Sequence, residues 1–405
     1  MVNQLPEHES KSILQPSNAE EVQDCVMAAL SNEAPLEVMG GGSKRFYGRS
    51  VEAPRVLSLA GMKGMVDYQP HELIAVVRPG TPLAEFENTL AESGQMLAFE
   101  PPHWGAAATI GGAVACNLSG PRRVKAGAAR DHLLGFQAVT GRGDIVMGGG
   151  RVVKNVTGYD LSKLMCGSFG TLAVLTELVL KVLPAAENER TVVLAGLSDG
   201  EALAILREAA RSPYELSGMA HLPVGMTMPA PVAGLAAGDE SMTFLRIEGP
   251  APSVAQRSEQ VTQMAKRQTG FLEQGESREV WAAIRELQPL PLQDGESLWR
   301  ITLPPTSSAA IMDILRGKMP LRGFYDWGGG LIWCALPASA EAADVHRFAL
   351  EAGGYARLVR ASEELDGKTQ VFPPLAPANR NLHVQLKQAF DPNGILNPGR
   401  MYEGI

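Results

Sequence analysis

Residues 36–50 read LEVMGGGSKRFYGRS, a short apolar strand that runs into three consecutive glycines, Gly40, Gly41 and Gly42. This bare backbone restricts the folds open to the chain more than any other feature. A strand followed by G-x-G-x-x-G and a helix is the usual dinucleotide fingerprint, with pyrophosphate on the helix amino end. Here that pattern is broken, because the third glycine is replaced by Arg45. The pairs Gly141/Gly143 and Gly148/Gly150 fail the same test at Val146 and Val153, and no P-loop pattern occurs. Gly42 is followed by Ser43-Lys44-Arg45-Phe46-Tyr47-Gly48, basic and aromatic without an apolar helical stripe, so the loop does not open a helix. Two readings stand at this point: a tight turn that uses the cheap positive φ of glycine, or a nest of backbone N–H groups around an anion.

With 405 residues, 45% of them hydrophobic, the chain is long enough for two or three packed domains. Its formal charge, 36 − 44 = −8, argues against nucleic acid as a partner. The amino terminus has neither a charged n-region nor an apolar h-region, and no run approaches a membrane span. The expectation is a cytoplasmic protein, at most peripheral on the inner face of the membrane through its partners. Cys25, Cys116, Cys166 and Cys334 form no cluster-binding spacing, and the seven histidines form no local metal motif, so no metal is expected.

Along the chain, Ser17-Asn18-Ala19-Glu20 reads as a capping box before an amphipathic helix through Val22, Val26, Met27 and Leu30. Strands are expected at Leu36 to Met39, Val56 to Leu59 and Ile74 to Val77. Thr81-Pro82-Leu83-Ala84-Glu85 reads as a second helix start, with Thr81 as N-cap. From Gly135 the segments FQAVT, IVMGGG and RVVKN suit a hairpin meander, and residues 171–182 form a β-branched strand. A second α+β unit on an antiparallel sheet follows up to about residue 375, with helices near 201–211, 254–269, 278–286, 307–316 and 340–351, and strands near 243–249, 297–303 and 331–335. A last helix, Leu382 to Phe390, leads into FDPNGILNPGRM.

A second glycine element lies at Gly111-Gly112, followed by the small residues Ala113-Val114-Ala115-Cys116-Asn117. Backbone there can approach a ligand closely while a short helical turn aims free amides at it. Two separate glycine cradles, neither of Rossmann type, suit a long diphosphate ligand clamped between two lobes.

Taken together, Gly40-Gly41-Gly42-Ser43, "ATIGGAVACNLSGP", "GAARDHLLG", "GGRVVKNVTGYDLSKLMCGSFGTLAVLTEL" and "FDPNGILNPGR" resemble the FAD-binding fold of the vanillyl-alcohol-oxidase/para-cresol-methylhydroxylase (PCMH) superfamily. Within it, the chain is most similar to the FAD-binding accessory subunits of bacterial glycolate oxidases. The resemblance implies an α+β protein: a two-lobed PCMH-type FAD-binding domain over residues 1–187 (lobes about 1–65 and 66–187), an inserted α+β cap domain over 188–378, and a return segment, 379–405, closing on the flavin. It also implies that Gly40, Gly41, Gly42, Ser43, Gly111, Gly112 and Ala113 hold the pyrophosphate, and that Thr109, Ser119, Gly120, Gly127 and Asp131 line the same channel. Gly158, Gly170, Thr171 and Val174 are expected along the ADP half and the isoalloxazine edge, and Asn397 at the pyrimidine carbonyls. Several branches attach flavin to a histidine beside the glycine loop; Ser43 stands there, and residues 104–116 offer only Cys116, so the FAD is expected to be non-covalent.

For the substrate side, Trp281-Ala282-Ala283-Ile284-Arg285 resembles the W-x-x-x-R segment of the hydroxyacid-oxidising branch, and Arg300 matches a second cation position. Both arginines suit a substrate carboxylate, and both equally suit an ion pair. Where relatives carry two histidines, this chain reads Trp327-Gly328-Gly329-Gly330-Leu331-Ile332-Trp333, and a later glutamate–histidine pair is replaced within TQVFPPLAPA. Nothing obvious remains to polarise a hydroxyl or accept its proton; His103 and His132 lie in the flavin lobe, where packing is the commoner role. The resemblance therefore implies an accessory or electron-handling FAD subunit that oxidises glycolate to glyoxylate in complex with a homologous catalytic FAD subunit and an iron–sulfur subunit. The alternative is a self-sufficient FAD-dependent dehydrogenase that uses Arg285 and Arg300 on another small 2-hydroxy acid.

Overall fold

In the computed structural model, residues 11–150, 159–228, 240–267, 269–365 and 369–405 are described. The run Leu36–Met39 is an outer strand of a three-stranded parallel sheet, with Arg55–Ser58 at the centre and Ser12–Leu14 on the far side. Val22, Val26 and Ala29 of the helix Ala19–Ser31 pack against Leu36 and Leu57 of that sheet. The helix begins one residue away from the expected box: Asn18 caps it by accepting from Glu21 N (2.8 Å), while the Glu21 carboxylate reaches back to Ser17 N (2.7 Å). The carboxyl-terminal segment completes this lobe. Leu36 N donates to Ile395 O (2.8 Å), and Leu396 bridges Leu36 in parallel.

A second, antiparallel sheet runs in the order Met65–Gln69, Ile74–Val77, Ala173–Lys181, Leu133–Thr140, Ile145–Gly149. The segment RVVKN expected to extend the meander lies outside the described residues. Phe86 and Leu90 of the helix Leu83–Glu92 enter the core under this sheet. Thr81 does not cap that helix. Its hydroxyl donates to Arg78 O (2.8 Å) and accepts from Gly64 N (2.9 Å), so Pro82 takes the cap position.

The third sheet has eight antiparallel strands: Thr269–Leu272, Asn188–Ala195, Met242–Gly249, Gly218–Leu222, Arg322–Asp326, Leu331–Pro337, Glu296–Thr302 and Tyr355–Arg360. Helices Asp199–Arg211, Ala251–Ala265, Gln274–Arg285, Ser308–Arg316 and Ala342–Glu351 accompany it. Five of its strands were not expected. The run GMAHL is buried at every position, and so shows no alternation for sequence reading to detect. The helix expected to run to residue 269 ends at Ala265, where Lys266 adopts φ +50°, and the strand Thr269–Leu272 follows. The last helix starts at Pro377 rather than Leu382, proline being suited to a first helical turn.

The segment before the second sheet's central strands and the eight-stranded sheet are joined by buried charge. Arg246 forks onto Glu100 (2.8 and 2.9 Å), and Arg122 forks onto Glu248 (3.0 and 2.8 Å) while also meeting Glu100 at 2.7 Å. Trp327 Nε1 donates to Gly120 O (3.0 Å) across the same boundary.

Candidate functional site

The two glycine elements converge. A Cβ on Gly40 would lie 2.3 Å from Thr109 Oγ1, and one on Gly41 would lie 1.8 Å from Ala107 O, so only bare backbone fits where the loops meet. Gly42 takes φ +81°, a conformation that glycine adopts without strain. Among the described residues the N–H groups of Gly41, Gly42 and Ser43 have no protein acceptor. Three such donors in succession form a concavity that attracts an anion.

Lys44 adds a full charge to it. Its side chain is 7% exposed, and its ammonium donates to Ser43 Oγ (3.2 Å) and His103 O (3.1 Å), with no carboxylate paired to it among the described residues. Burial lowers its pKa to about 8. Arg400, also buried, donates to Arg49 O (3.1 Å), Arg45 O (2.8 Å) and Tyr47 O (2.8 Å), and so fixes the chain just beyond the glycines. The cleft is lined by Gly40, Gly41, Gly42, Ser43, Lys44, Thr109, Gly111, Gly112, Cys116, Phe169, Gly170, Asn397 and Arg400, among others.

Gly111 and Gly112 contribute closeness rather than donors. Their N–H groups go to Pro79 O (2.8 Å) and Thr109 Oγ1 (3.2 Å), and Ala113 N goes to Thr109 O (3.1 Å). The amides expected to be free there are thus engaged by protein, Gly112 through the Thr109 cap of the helix Ile110–Ala115 and Gly111 through Pro79. Asn397 lines the cleft, yet its carboxamide is engaged by protein: Oδ1 accepts from Val38 N (2.7 Å), and Nδ2 donates to Val38 O (3.2 Å) and Phe169 O (2.8 Å). It clasps the return segment to the first sheet at the edge of the cleft.

The remaining expected residues do not line the cleft. Ala113 and Val174 are core, and Ser119 Oγ accepts from Ala129 N (2.9 Å). Asp131 accepts from Ala128 N (2.9 Å) beside Gly127, which turns with φ +88°. Thr171 Oγ1 donates to Ser168 O (2.7 Å), and Gly120 N to Phe99 O (2.9 Å). They build the scaffold around the cleft. Gly158 lies outside the described residues.

The two candidate cations separate, Arg285 at the end of the helix Gln274–Arg285 and Arg300 on the strand Glu296–Thr302. Arg285 is held by Glu286 (2.9 Å), whose carboxylate also accepts from His103 N (3.1 Å) and Trp104 N (3.0 Å), so the cation is paired next door and its acid is tied to a distant loop. Arg300 is 7% exposed and forms no ion pair among the described residues, and its Nε has no acceptor. Its guanidinium lies 4.9 Å from the Trp327 ring and 5.8 Å from the Trp333 ring. His132 sets both ring nitrogens against main-chain carbonyls, Lys181 O (3.2 Å) and Ala126 O (2.9 Å), a packing role.

Comparison with known proteins gives this geometry its context. A family model described as FAD binding domain matches residues 10–149. Glycolate oxidase subunit GlcE of Escherichia coli (strain K12) is 40% identical, over 93% of this chain and 95% of that protein. The chain belongs to the GlcE family. Glycolate oxidase subunit GlcD of Bacillus subtilis (strain 168) is a more distant relative, 24% identical over 98% of the chain and 90% of that protein. Among solved structures, p-cresol methylhydroxylase with substrate bound superposes with TM-score 0.72 at 16% identity, over 96% of this chain and 88% of that one. The 4-ethylphenol oxidase of Gulosibacter chungangensis gives 0.71 at 15%, over 96% and 89%.

The GlcE-family chain is thus an FAD-linked oxidoreductase of PCMH-type fold, and FAD is its cofactor. The cleft fits that cofactor: three amides without a protein acceptor and a buried ammonium without a paired carboxylate, among the described residues, line it together, as a diphosphate linker requires. Reading the sequence missed Lys44 and Arg400 as site residues. Each directly follows a glycine-bearing motif, GGGS and NPG, and that adjacency was the available signal.

Proposed function

We propose that this chain is the FAD-carrying accessory subunit of a glycolate oxidase complex that converts glycolate to glyoxylate, working beside a homologous catalytic flavoprotein and an iron–sulfur subunit. In this reading residues 1–187 and 379–405 hold the flavin and residues 188–378 cap it. Bound FAD supplies a two-electron acceptor. The amides of Gly41, Gly42 and Ser43 and the Lys44 ammonium hold its diphosphate, while Asn397 and Arg400 keep the walls in place.

The observation that carries the accessory role is the aromatic filling opposite Arg300. Trp327 and Trp333 stack on that guanidinium, and the Trp327 indole N–H is engaged by Gly120 O, so neither aromatic side chain offers a base for a hydroxyl proton. Among the described residues no helix is long and apolar enough to cross a membrane. The test is anaerobic mixing of the purified, FAD-loaded chain with glycolate. Slow or absent bleaching of the flavin is expected, together with co-purification of a flavoprotein and an iron–sulfur partner. Rapid reduction by glycolate or another 2-hydroxy acid overturns the accessory role and favours the self-sufficient dehydrogenase.

A further inference from the structure

The glycine triplet meets the loop that runs from Glu100 to Ala108, and that loop is held from the eight-stranded sheet and its helices at three places. Glu100 pairs with Arg246, Trp104 meets Trp333 edge-on at 6.1 Å, and the Glu286 carboxylate accepts from His103 N (3.1 Å) and Trp104 N (3.0 Å). The third contact is the most specific in geometry. Trp104 takes φ +50°, a left-handed conformation that a bulky residue holds only when its surroundings fix it. Two successive amides share one carboxylate there, each on its own oxygen, which makes a charge-assisted fork. Glu286 is placed by the end of the helix Gln274–Arg285, whose Val280, Trp281 and Ile284 are buried, and Arg285 Nε braces its Oε1 (2.9 Å).

The peptide group between His103 and Trp104 has a second contact. Its N–H goes to Glu286, and its carbonyl, His103 O, accepts from the Lys44 ammonium (3.1 Å). A trans peptide is planar, with N–H and C=O pointing in opposite directions, so this one unit lies between an acid and the buried cation of the cleft. A carboxylate on the N–H polarises the carbonyl, and hydrogen bonds in such a chain strengthen one another. Of the three ammonium donors of Lys44, Ser43 Oγ and His103 O take two among the described residues, which leaves the third for a ligand. Further along the loop, Ala107 O would lie 1.8 Å from a Cβ on Gly41, so loop and triplet shift together. We infer that Glu286 is a positioning residue for the cofactor's diphosphate: through the 103–104 peptide it fixes where the Lys44 ammonium points. A side chain outside the glycine cradle thereby sets FAD affinity. This rests on the FAD reading, in which Lys44 faces the phosphates.

The test is a double-mutant cycle on FAD affinity, by equilibrium titration of the full chain stripped of FAD at pH 7, with E286Q and K44M. Glutamine keeps the length but has one acceptor oxygen in place of two, so one of the two amides loses its partner. E286Q is expected to weaken FAD binding about 10-fold when Lys44 is present. In K44M, where the peptide has no ammonium to aim, the same change is expected to cost no more than about 2-fold. E286D withdraws the carboxylate from the amides while keeping its charge; it should repeat the pattern, and it carries the cycle should E286Q fail to fold. An E286Q that binds FAD like wild type overturns the assignment. So does an equal loss with and without Lys44, which is the mark of a merely structural anchor. A wild-type chain that takes up no FAD fails the earlier reading instead, and is recognised by the absent flavin absorbance.

Discussion

Arg122 and Arg123 are adjacent in sequence and opposite in circumstance. Arg122 points into a closed network with Glu100, Glu248 and, through Glu100, Arg246, in which every charge has a counter-charge. Arg123 points the other way, onto Trp327, which Arg300 also covers, and no carboxylate is paired to either among the described residues. The first network ties the segment bearing Glu100 and Arg122 to the strand bearing Arg246 and Glu248. The second is a set of donors with nothing inside the protein to answer them, as a binding site requires. Lys44 repeats the second pattern at the glycine loop.

Substitutions on the two sides should therefore behave differently. The largest effect is expected for R246M. It removes a guanidinium that is 1% exposed and leaves Glu100 with Arg122 alone, and should lower unfolding stability by about 3 kcal/mol, the low end for breaking a buried pair. The fall in the urea midpoint measures it. The smallest effect is expected for R300M. No carboxylate loses its partner, so stability should stay within about 1 kcal/mol of wild type or rise. An R300M variant that unfolds as readily as R246M would place both clusters in the structural class.

Much of this was legible in the residues. The glycine triplet, the strands at Leu36–Met39 and Ile74–Val77, the antiparallel character of the second unit and the indoles at 327 and 333 followed from local pattern. What escaped depends on partners distant in sequence. Asn397 is expected from its motif to face a ligand, but Val38 and Phe169, brought in from more than 200 positions away, engage its amide. Arg285 and Arg300 look alike in sequence, and only the neighbouring Glu286 and the register with Arg357 tell them apart. Tyr355–Arg360 begins with a tyrosine and carries Arg357 mid-strand and Arg360 at its end, so no alternation marks it as a strand.

Lys44 gives the most direct test that an unanswered buried cation marks the cofactor's phosphates. Its ammonium is protonated below about pH 8, the value to which burial lowers it. An anion prefers the protonated form, so FAD affinity should be greatest at lower pH and decline as pH rises past about 8. Equilibrium titration of FAD against wild type and K44M across that range is the measurement. The account predicts about 10- to 100-fold weaker binding by K44M at pH 7, the loss of one charge-assisted contact, and a flat profile for the variant above it. Equal affinities, or the same decline in both proteins, would contradict it.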